Sequence, residues 1–366
     1  MSHTTWLHSH LDTDNDVSIE IKDMLKEKGS TCVSIIVPTR RLGQDRQADA
    51  KEVQRAVLAA KESVSSEVEK ILSGIDDLFD RIDFTRNKDG IGIFVSPHIK
   101  KLVKFPFPVT KKIIVSKLFH LHDLLYLENY SAAYYLLDIS KKEIRFFRGI
   151  MDRLEEIKDE NFPKEITDDY EYSKPSQSSS NAGYAHVKGF EKDKSEVQQL
   201  RSKKIFRETD KCLVKYLTTK ETPLLLCAPE REISLFKSVT NHLPNIAGLI
   251  ANNQQRTSMH DMEVSAWGQI ISFIDQQKLK SVDEFKEKIG AGLAVYGLEE
   301  VWRAAKEGKA FRMLVEKEYN RTGLATQEVD IVNEIMSTVL EKNGKVIIVG
   351  KDDLKDFKRI ALINRY

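Results

Sequence analysis

Two groups of histidines have the side-chain chemistry and the spacing that could bind a metal. His120, His122 and Asp123 stand close together, and His8 and His10 form a second pair near the first residue of the sequence. Imidazole nitrogens and carboxylate oxygens bind zinc, but a zinc site needs three or four converging ligands. Neither group supplies a clear fourth ligand, so we interpret His120 and His122 as structural residues and the other pair as part of a loose tail. We therefore expect no metal and no cofactor.

Three clusters of basic residues could contact nucleic acid. Residues 98–120 contain six lysines, three interleaved phenylalanines and no acid, whereas the clusters at 201–215 and 40–55 are diluted by acids. Lysine and arginine bind phosphates and aromatic rings stack on bases, so such clusters fit RNA, although a solvated face explains any single one equally well. The residues that we assign to RNA binding from these clusters are Arg40, Arg41, Arg46, Lys51, Lys100, Lys101, Lys104, Lys203, Lys204 and Arg207.

The segment 173–190 is the other candidate site. Five serines fall within residues 173–183. Such a composition cannot bury enough apolar surface to offset its ordering entropy, so we predict a mobile loop. Tyr184 could stack on a base, and His186 and Lys188 could contact phosphate, so these three residues join the RNA-binding set. A lone tyrosine and histidine in such a loop are, however, more often incidental.

Other catalytic patterns fail on spacing. Gly350-Lys351 follows a predicted strand without a glycine-rich loop, and Asp352 stands where a phosphate-binding loop needs serine or threonine. No Gly-x-Ser-x-Gly elbow occurs in the sequence. Cys227 ends an apolar strand, which is typical of a packed and unreactive thiol. The catalytic residues, if any exist, therefore stay unassigned.

The elements that would position these residues begin with a segment at 1–128. The apolar and β-branched run 32–38 predicts a buried strand, and 90–95 and 112–115 predict two more. A long helix over about 45–72 has apolar residues at steps of three and four, which places them on one stripe.

Two further segments follow. Residues 129–278 begin with a hairpin and continue, after the loop, with a helix over about 192–217 and with alternating strands and helices. Residues 279–366 alternate helices and strands and predict a compact α/β/α sandwich. The fold class is therefore α/β, with three consecutive α/β domains.

Composition limits the environment of the protein. The chain has 366 residues with 57 basic and 56 acidic side chains, a net charge of +1 that predicts no global attraction to nucleic acid. No apolar run is long enough to span a membrane and no secretory signal is visible. The three cysteines are odd in number and far apart, which fits a reducing cytoplasm.

The order of these segments resembles that of the archaeo-eukaryotic class-I peptide release factors and Pelota. More closely, it is similar to their divergent bacterial branch, the bacterial archaeo-eukaryotic-type release factors. The run 34–38 resembles the first strand of the family's N-terminal domain, and 132–147 resembles the hairpin that opens its middle domain. Residues 297–308, 344–349 and 360–366 resemble a helix and the closing strands of its third domain.

The departures from the family limit what the resemblance implies. The Gly-Gly-Gln of the release chemistry and the Asn-Ile-Lys-Ser of stop-codon reading are both absent from this sequence, and Asn181-Ala182-Gly183-Tyr184 stands in the equivalent loop. What the resemblance implies is a tRNA-like body that occupies a ribosomal A site in hibernation or rescue, a monomer off the ribosome. Its implied partners are rRNA, ribosomal proteins and a translational GTPase, with no membrane partner.

Two alternatives stay open from the sequence. The chain could be a hydrolase of peptidyl-tRNA or RNA, with His186 as general base and Lys188 or Arg207 stabilising negative charge. It could also be a kink-turn or protein-binding adaptor that acts through residues 280–366 alone.

Overall fold

The chain folds into two compact units with separate hydrophobic cores. The computed structural model describes residues 21–40, 46–64, 69–166, 185–251, 258–317, 319 and 326–366. The first unit combines the chain up to Ser131 with the chain from Ile274 onward, and the second unit is Ala132–Phe273. The sequence interpretation kept the first and third segments apart, whereas the structure places them in one unit. The division into three domains stays a prediction.

The first segment forms an antiparallel four-stranded sheet in the order β3-β2-β1-β4. Apolar residues of β1 and of the following helices form its core, among them Val33, Ile35, Val53 and Ile75. The elements are α1 (Ile21–Lys26), β1 (Cys32–Pro38), α2 (Arg46–Ser63), α3 (Glu69–Asp80), β2 (Gly90–Val95), β3 (Lys100–Phe105), β4 (Lys112–Ser116) and α4 (His122–Asn129).

The prediction of one helix over 45–72 is wrong, because α2 ends at Ser63 and α3 begins at Glu69. Ser63 Oγ donates to the Ala59 carbonyl at 2.9 Å. Serine side chains compete in this way for backbone groups, which makes a run of serines a weak helix. The predicted apolar stripe is nevertheless buried at Val53, Val57 and Ala60.

The second unit is built on a mixed sheet in the order β10-β9-β5-β6-β7, with β8 paired to β6. The three strands β10, β9 and β5 are parallel, and the hairpin β5–β6 is antiparallel. Phe206 of α5 and Phe236 of α6 pack in its core. The elements are β5 (Tyr134–Ile139), β6 (Glu143–Ile150), β7 (Arg153–Glu156), β8 (Lys164–Glu165), α5 (Ala185–Leu213), β9 (Leu224–Ala228), α6 (Glu230–Lys237) and β10 (Ile246–Ala251).

The third segment adds a sheet in the order β11-β14-β12-β13 to the first unit. Phe285 of α7 packs in one core with Leu314 and Ile363. Successive side chains of a strand point to opposite faces, and Met313 and Val315 are also fully buried, so both faces of this sheet are covered. The elements are α7 (Met259–Gly290), β11 (Ala294–Tyr296), α8 (Leu298–Lys306), β12 (Ala310–Glu316), α9 (Thr326–Glu341), β13 (Lys345–Val349) and β14 (Ile360–Asn364).

Helix α7 contains the last residues of the second unit in sequence and continues into the first unit. Both the predicted boundary at 278/279 and the unit boundary at 273/274 fall inside this continuous helix. None of the helices in the described part of the chain is long and apolar enough to cross a membrane. The mixed α/β fold class predicted from the sequence is confirmed.

Two asparagine amides join the first and third segments inside the first unit. Asn333 of α9 accepts from the Leu121 N–H at 2.8 Å and donates to the Phe119 carbonyl at 2.7 Å. Asn129 of α4 makes the reciprocal contact to the edge strand β13, accepting from one N–H at 2.8 Å and donating to one carbonyl at 3.2 Å. Each amide satisfies a backbone donor and a backbone acceptor, as a neighbouring strand would.

Candidate nucleic-acid interface

The lysine stretch at 98–120 contains no acid, but the fold brings acids to it from the helices. Lys100 Nζ lies 2.7 Å from Asp77 of α3, and Lys111 Nζ lies 2.6 Å from Glu52 of α2. Each lysine holds the pKa of its partner carboxyl below the usual value, chiefly through the hydrogen bond. The cluster that is strongest in the sequence is therefore largely compensated in the structure.

The remaining lysines of this stretch differ in their surroundings. Lys104 of β3 donates to the Asp83 carbonyl at 3.2 Å. Lys101, on the same strand, is half-buried and has no ion pair with any described residue. Among the lysines of this stretch that we assign to RNA binding, Lys101 thus keeps a charge that no described acid compensates.

Helix α5, in contrast, has basic residues that no described acid compensates. Lys204 and Arg207 are exposed and Lys203 is half-exposed, and no described acid pairs with any of the three. The two acids that dilute this cluster in the sequence are occupied elsewhere: Glu208 pairs with Lys164 at 3.1 Å, and Asp210 is buried. Residues three and four apart share one face of a helix, so Lys203, Lys204 and Arg207 lie together on one face of α5.

Asp210 is held by the loop that precedes β10. Its carboxylate accepts from His242 Nδ1 at 2.8 Å and from the Asn241 N–H at 3.1 Å, and the Thr240 hydroxyl donates to it as well. These hydrogen bonds outweigh burial and keep the pKa of Asp210 below its usual value. The sequence analysis did not identify this Asp–His pair, because 31 residues of sequence separate Asp210 from Asn241.

The third cluster is only partly described. Arg40 is exposed, and its backbone N–H donates to the buried Asp49 at 2.9 Å. Lys51 is exposed on α2 and has no ion pair among the residues that the structure describes. Arg46 begins α2, and Arg41 lies outside the described residues.

The predicted loop at 173–190 is wrong at its end. Residues 173–184, including Tyr184, lie outside the described residues, but His186 and Lys188 lie in the first turns of α5, which begins at Ala185 rather than near residue 192. Gly189 is the single strong helix breaker here, and the lysines and glutamates after it favour a helix. His186 therefore lies in a helix, and not on the mobile loop on which the sequence analysis placed it as a possible general base.

A buried group of titratable side chains lies where α4 begins. One ring nitrogen of His120, one of His122 and a carboxylate oxygen of Asp123 lie within 4.8 Å of one another. His120 Nε2 is 3.1 Å from Asp123 Oδ2, and Lys112 of β4 donates to the same oxygen. Burial raises the pKa of Asp123, but His120 and Lys112 outweigh it, so that the pKa lies far below the usual range.

The second histidine of this group faces the third segment. His122 Nε2 lies 3.3 Å from the Glu316 carbonyl of β12, and His122 Nδ1 is buried with no hydrogen-bond partner in the described chain. Burial lowers the pKa of His122 to about 4, so the imidazole is neutral near pH 7. The sequence analysis did not predict the contribution of Lys112, which comes from β4, eight residues before His120.

Comparison with known proteins gives a family match over part of the chain. Residues 133–309 match the family described as bacterial archaeo-eukaryotic release factor family 3. A 78-residue stretch is 31% identical to the Protein pelota homolog of Sulfolobus acidocaldarius, and it covers 21% of this chain and 22% of that protein. The match to that relative thus spans about a fifth of its length.

Two solved structures are similar to this chain at a low level of sequence identity. A ribosome-bound archaeal Pelota with ABCE1 is matched with a TM-score of 0.44 and 15% identity over 73% of this chain and 72% of that one. Saccharomyces cerevisiae Dom34 is matched with a TM-score of 0.42 and 14% identity over 95% and 93% of the two chains. The family match includes the hairpin β5–β6 and α5, so this part of the chain is similar to bacterial archaeo-eukaryotic release factors.

Proposed function

We propose that this protein is a ribosome-associated translation factor with a tRNA-like outline, which binds the A site in hibernation or rescue without reading a stop codon. The observation that carries the proposal is the release-factor match over 133–309 in a sequence that contains no Gly-Gly-Gln. The chain keeps the body of a release factor and lacks the tripeptide of the release chemistry. It therefore binds without Gly-Gly-Gln hydrolysis.

The distribution of charge supports contact with RNA through local faces. A net charge of +1 gives no long-range attraction, so affinity for phosphate must come from places where cations are not compensated. The face of α5 with Lys203, Lys204 and Arg207 is such a place. Lysine and arginine there release counterions from the RNA backbone on binding, which makes binding depend on salt.

The segments would take different positions on the ribosome. The first would approach the decoding centre through Arg40, Arg41, Arg46 and Lys51, and residues 173–190 would point toward the peptidyl-transferase centre. The third segment would contact ribosomal proteins or a translational GTPase. The protein is cytoplasmic and monomeric off the ribosome under this proposal.

Cosedimentation tests the association. The purified full chain, mixed with ribosomes from growing and from stationary cells, should pellet with them at low salt and dissociate as salt is raised. Failure to pellet at low salt, where phosphate contacts are strongest, would overturn the proposal. A cryo-EM map of ribosomes that carry the tagged protein would then locate residues 173–190.

A charge-reversal variant tests the face of α5. Replacing Lys203, Lys204 and Arg207 by glutamate should weaken ribosome binding at low salt by about tenfold or more, and should reduce the slope of log affinity against log salt by about one for each phosphate that is no longer neutralised. The matched control replaces three exposed lysines of the same unit, which changes net charge equally and should leave binding unchanged: Lys141, Lys220 and Lys237. Equal weakening in both variants would contradict a specific face.

An assay of peptide release separates this proposal from the hydrolase alternative. The purified chain should leave peptidyl-tRNA intact on stalled ribosomes. Turnover that disappears in His186→Ala would instead favour the enzyme, because general-base catalysis contributes about 10²–10⁴-fold.

A further inference from the structure

The group at the start of α4 holds three potential metal ligands around one lysine ammonium. His120 and His122 are each 2% exposed and Asp123 is 9% exposed, so water does not satisfy these side chains. Lys112 Nζ donates to Asp123 and lies 3.3 Å from His120 Nε2. The Lys112 ammonium thus occupies the position of a cation that Asp123 and His120 could bind.

We propose that His120, His122 and Asp123 form a zinc-binding site, which the ammonium of Lys112 fills in the metal-free protein. The inference needs neither RNA nor the ribosome and goes beyond the proposed function.

His122 provides the observation that points to a ligand. The Glu316 carbonyl can only accept, so His122 Nε2 carries the proton of the neutral ring and donates to that carbonyl at 3.3 Å. His122 Nδ1 is then a bare lone pair, buried and without a partner in the described residues. Histidines that bind metals commonly donate their second ring N–H to a backbone carbonyl, which fixes the tautomer and the ring orientation.

The separations suit a small metal ion. Two ligands about 2.1 Å from a tetrahedral zinc lie about 3.4 Å apart. His120 Nε2 and Asp123 Oδ2 are 3.1 Å apart, and one ring nitrogen of each histidine and an Asp123 carboxylate oxygen lie within 4.8 Å of one another. A bound zinc would draw these three atoms to about 3.4 Å from one another, and three protein ligands would leave a fourth position open.

Lys112 acts as the competitor of the metal. The side chain of Lys112 is 18% exposed on β4, so it can turn toward solvent when a divalent ion takes its place on Asp123. Two neutral groups also contact the site: the Ser34 hydroxyl, which accepts from the backbone N–H of His120 at 3.0 Å, and the Glu316 carbonyl. A bound zinc would therefore link the first segment to β12 of the third through His122.

Zinc titration of the full chain tests the proposal. His8 and His10 are replaced by asparagine first, so that the other histidine pair supplies no ligand, and ZnCl₂ is then titrated by calorimetry. We expect one zinc per chain, and a visible d–d spectrum of tetrahedral type when Co²⁺ is used. Asp123→Asn and His122→Gln should each weaken binding by about a hundredfold or more, because they remove a ligand.

Lys112→Met gives the sharpest result, since removal of the competing ammonium should tighten zinc binding by about tenfold. Damage to the fold cannot produce such a gain. Lys111→Met, next in sequence and paired with Glu52, is the matched control and should leave zinc affinity unchanged. The proposal is wrong if the chain without His8 and His10 binds no zinc, or if Lys112→Met binds it no more tightly than Lys111→Met does.

Discussion

At the scale of single residues, Lys278 shows what burial does to a charge. Its side chain is 7% exposed, and its ammonium lies 3.8 Å from the ring centroid of Tyr130 and 4.8 Å from that of Tyr126. Burial lowers the pKa of Lys278 to about 8, although Asp275 at 3.9 Å acts in the opposite direction. The aromatic rings keep a partly desolvated cation in place.

This lysine predicts a dependence of stability on pH. The pKa is about 8 in the folded chain and 10.5 in the unfolded chain, so between these values the unfolded chain binds more protons. The free energy of unfolding should therefore rise with pH in that range, by about 3 kcal/mol at most. Urea unfolding of the wild type and of Lys278→Met, from neutral to alkaline pH, measures this rise in the free energy of unfolding.

The difference between the two proteins isolates the contribution of Lys278, because other groups titrate in both. Lys278→Met should lack this rise, and Lys280→Met, an exposed lysine two residues along α7, should keep it. Parallel curves for the wild type and Lys278→Met would contradict the lowered pKa.

At the scale of elements, the hydrogen bonds of Asn129 and Asn333 join the first segment to the third. Asn333 is 8% exposed and serves the backbone of residues 119–121, which lead into α4. Asn129, at the end of α4, serves the edge strand β13. Helix α4 is thus fixed to the third segment at both of its ends.

We expect Asn333→Ala to lower the free energy of unfolding by about 2–4 kcal/mol, since it leaves a buried N–H and a buried carbonyl without partners. Denaturant unfolding measures the decrease. Glu334→Ala replaces the exposed neighbour on α9 and should change stability by about 0.5 kcal/mol or less. Similar stability of the two variants would show that the amide of Asn333 contributes no net stability.

The strand β3 shows why the sequence pattern of an edge strand does not predict the strand. Lys100, Lys101 and Lys104 suggested a charged surface, yet they lie in an edge strand whose Val103 and Phe105 are buried. Lys100 and Lys104 share one face of this strand, whereas Lys101 is on the face of the two buried residues. Edge strands carry lysines on their exposed side, which also discourages pairing with other chains. The strand was missed because its polar residues dominate its composition.

At the scale of the whole molecule, the two units predict different behaviour of fragments. Residues 132–273 contain a complete sheet and core and should unfold cooperatively as an isolated fragment. Residues 1–131 should not, because the hydrogen bonds of Asn129 and Asn333 that join them to the third segment cannot form. Thermal unfolding followed by circular dichroism checks both fragments.

Independent cooperative unfolding of residues 1–131 would restore the interpretation as three separate domains. The adaptor alternative is affected too, since deletion of residues 280–366 should damage the first segment and not only remove a binding surface. Loss of binding in that truncation would therefore not identify the third segment as the binding site.

The sequence by itself determined the α/β class, the strands at 32–38 and 90–95, and the release-factor similarity of residues 133–309, because β-branched runs and their order along the chain are local information. Only the tertiary structure decided which charges remain uncompensated, since partners such as Lys100 and Asp77 are 23 residues apart in sequence. The same reason explains the union of the first and third segments. Each depends on contacts across the fold, which no window of sequence contains.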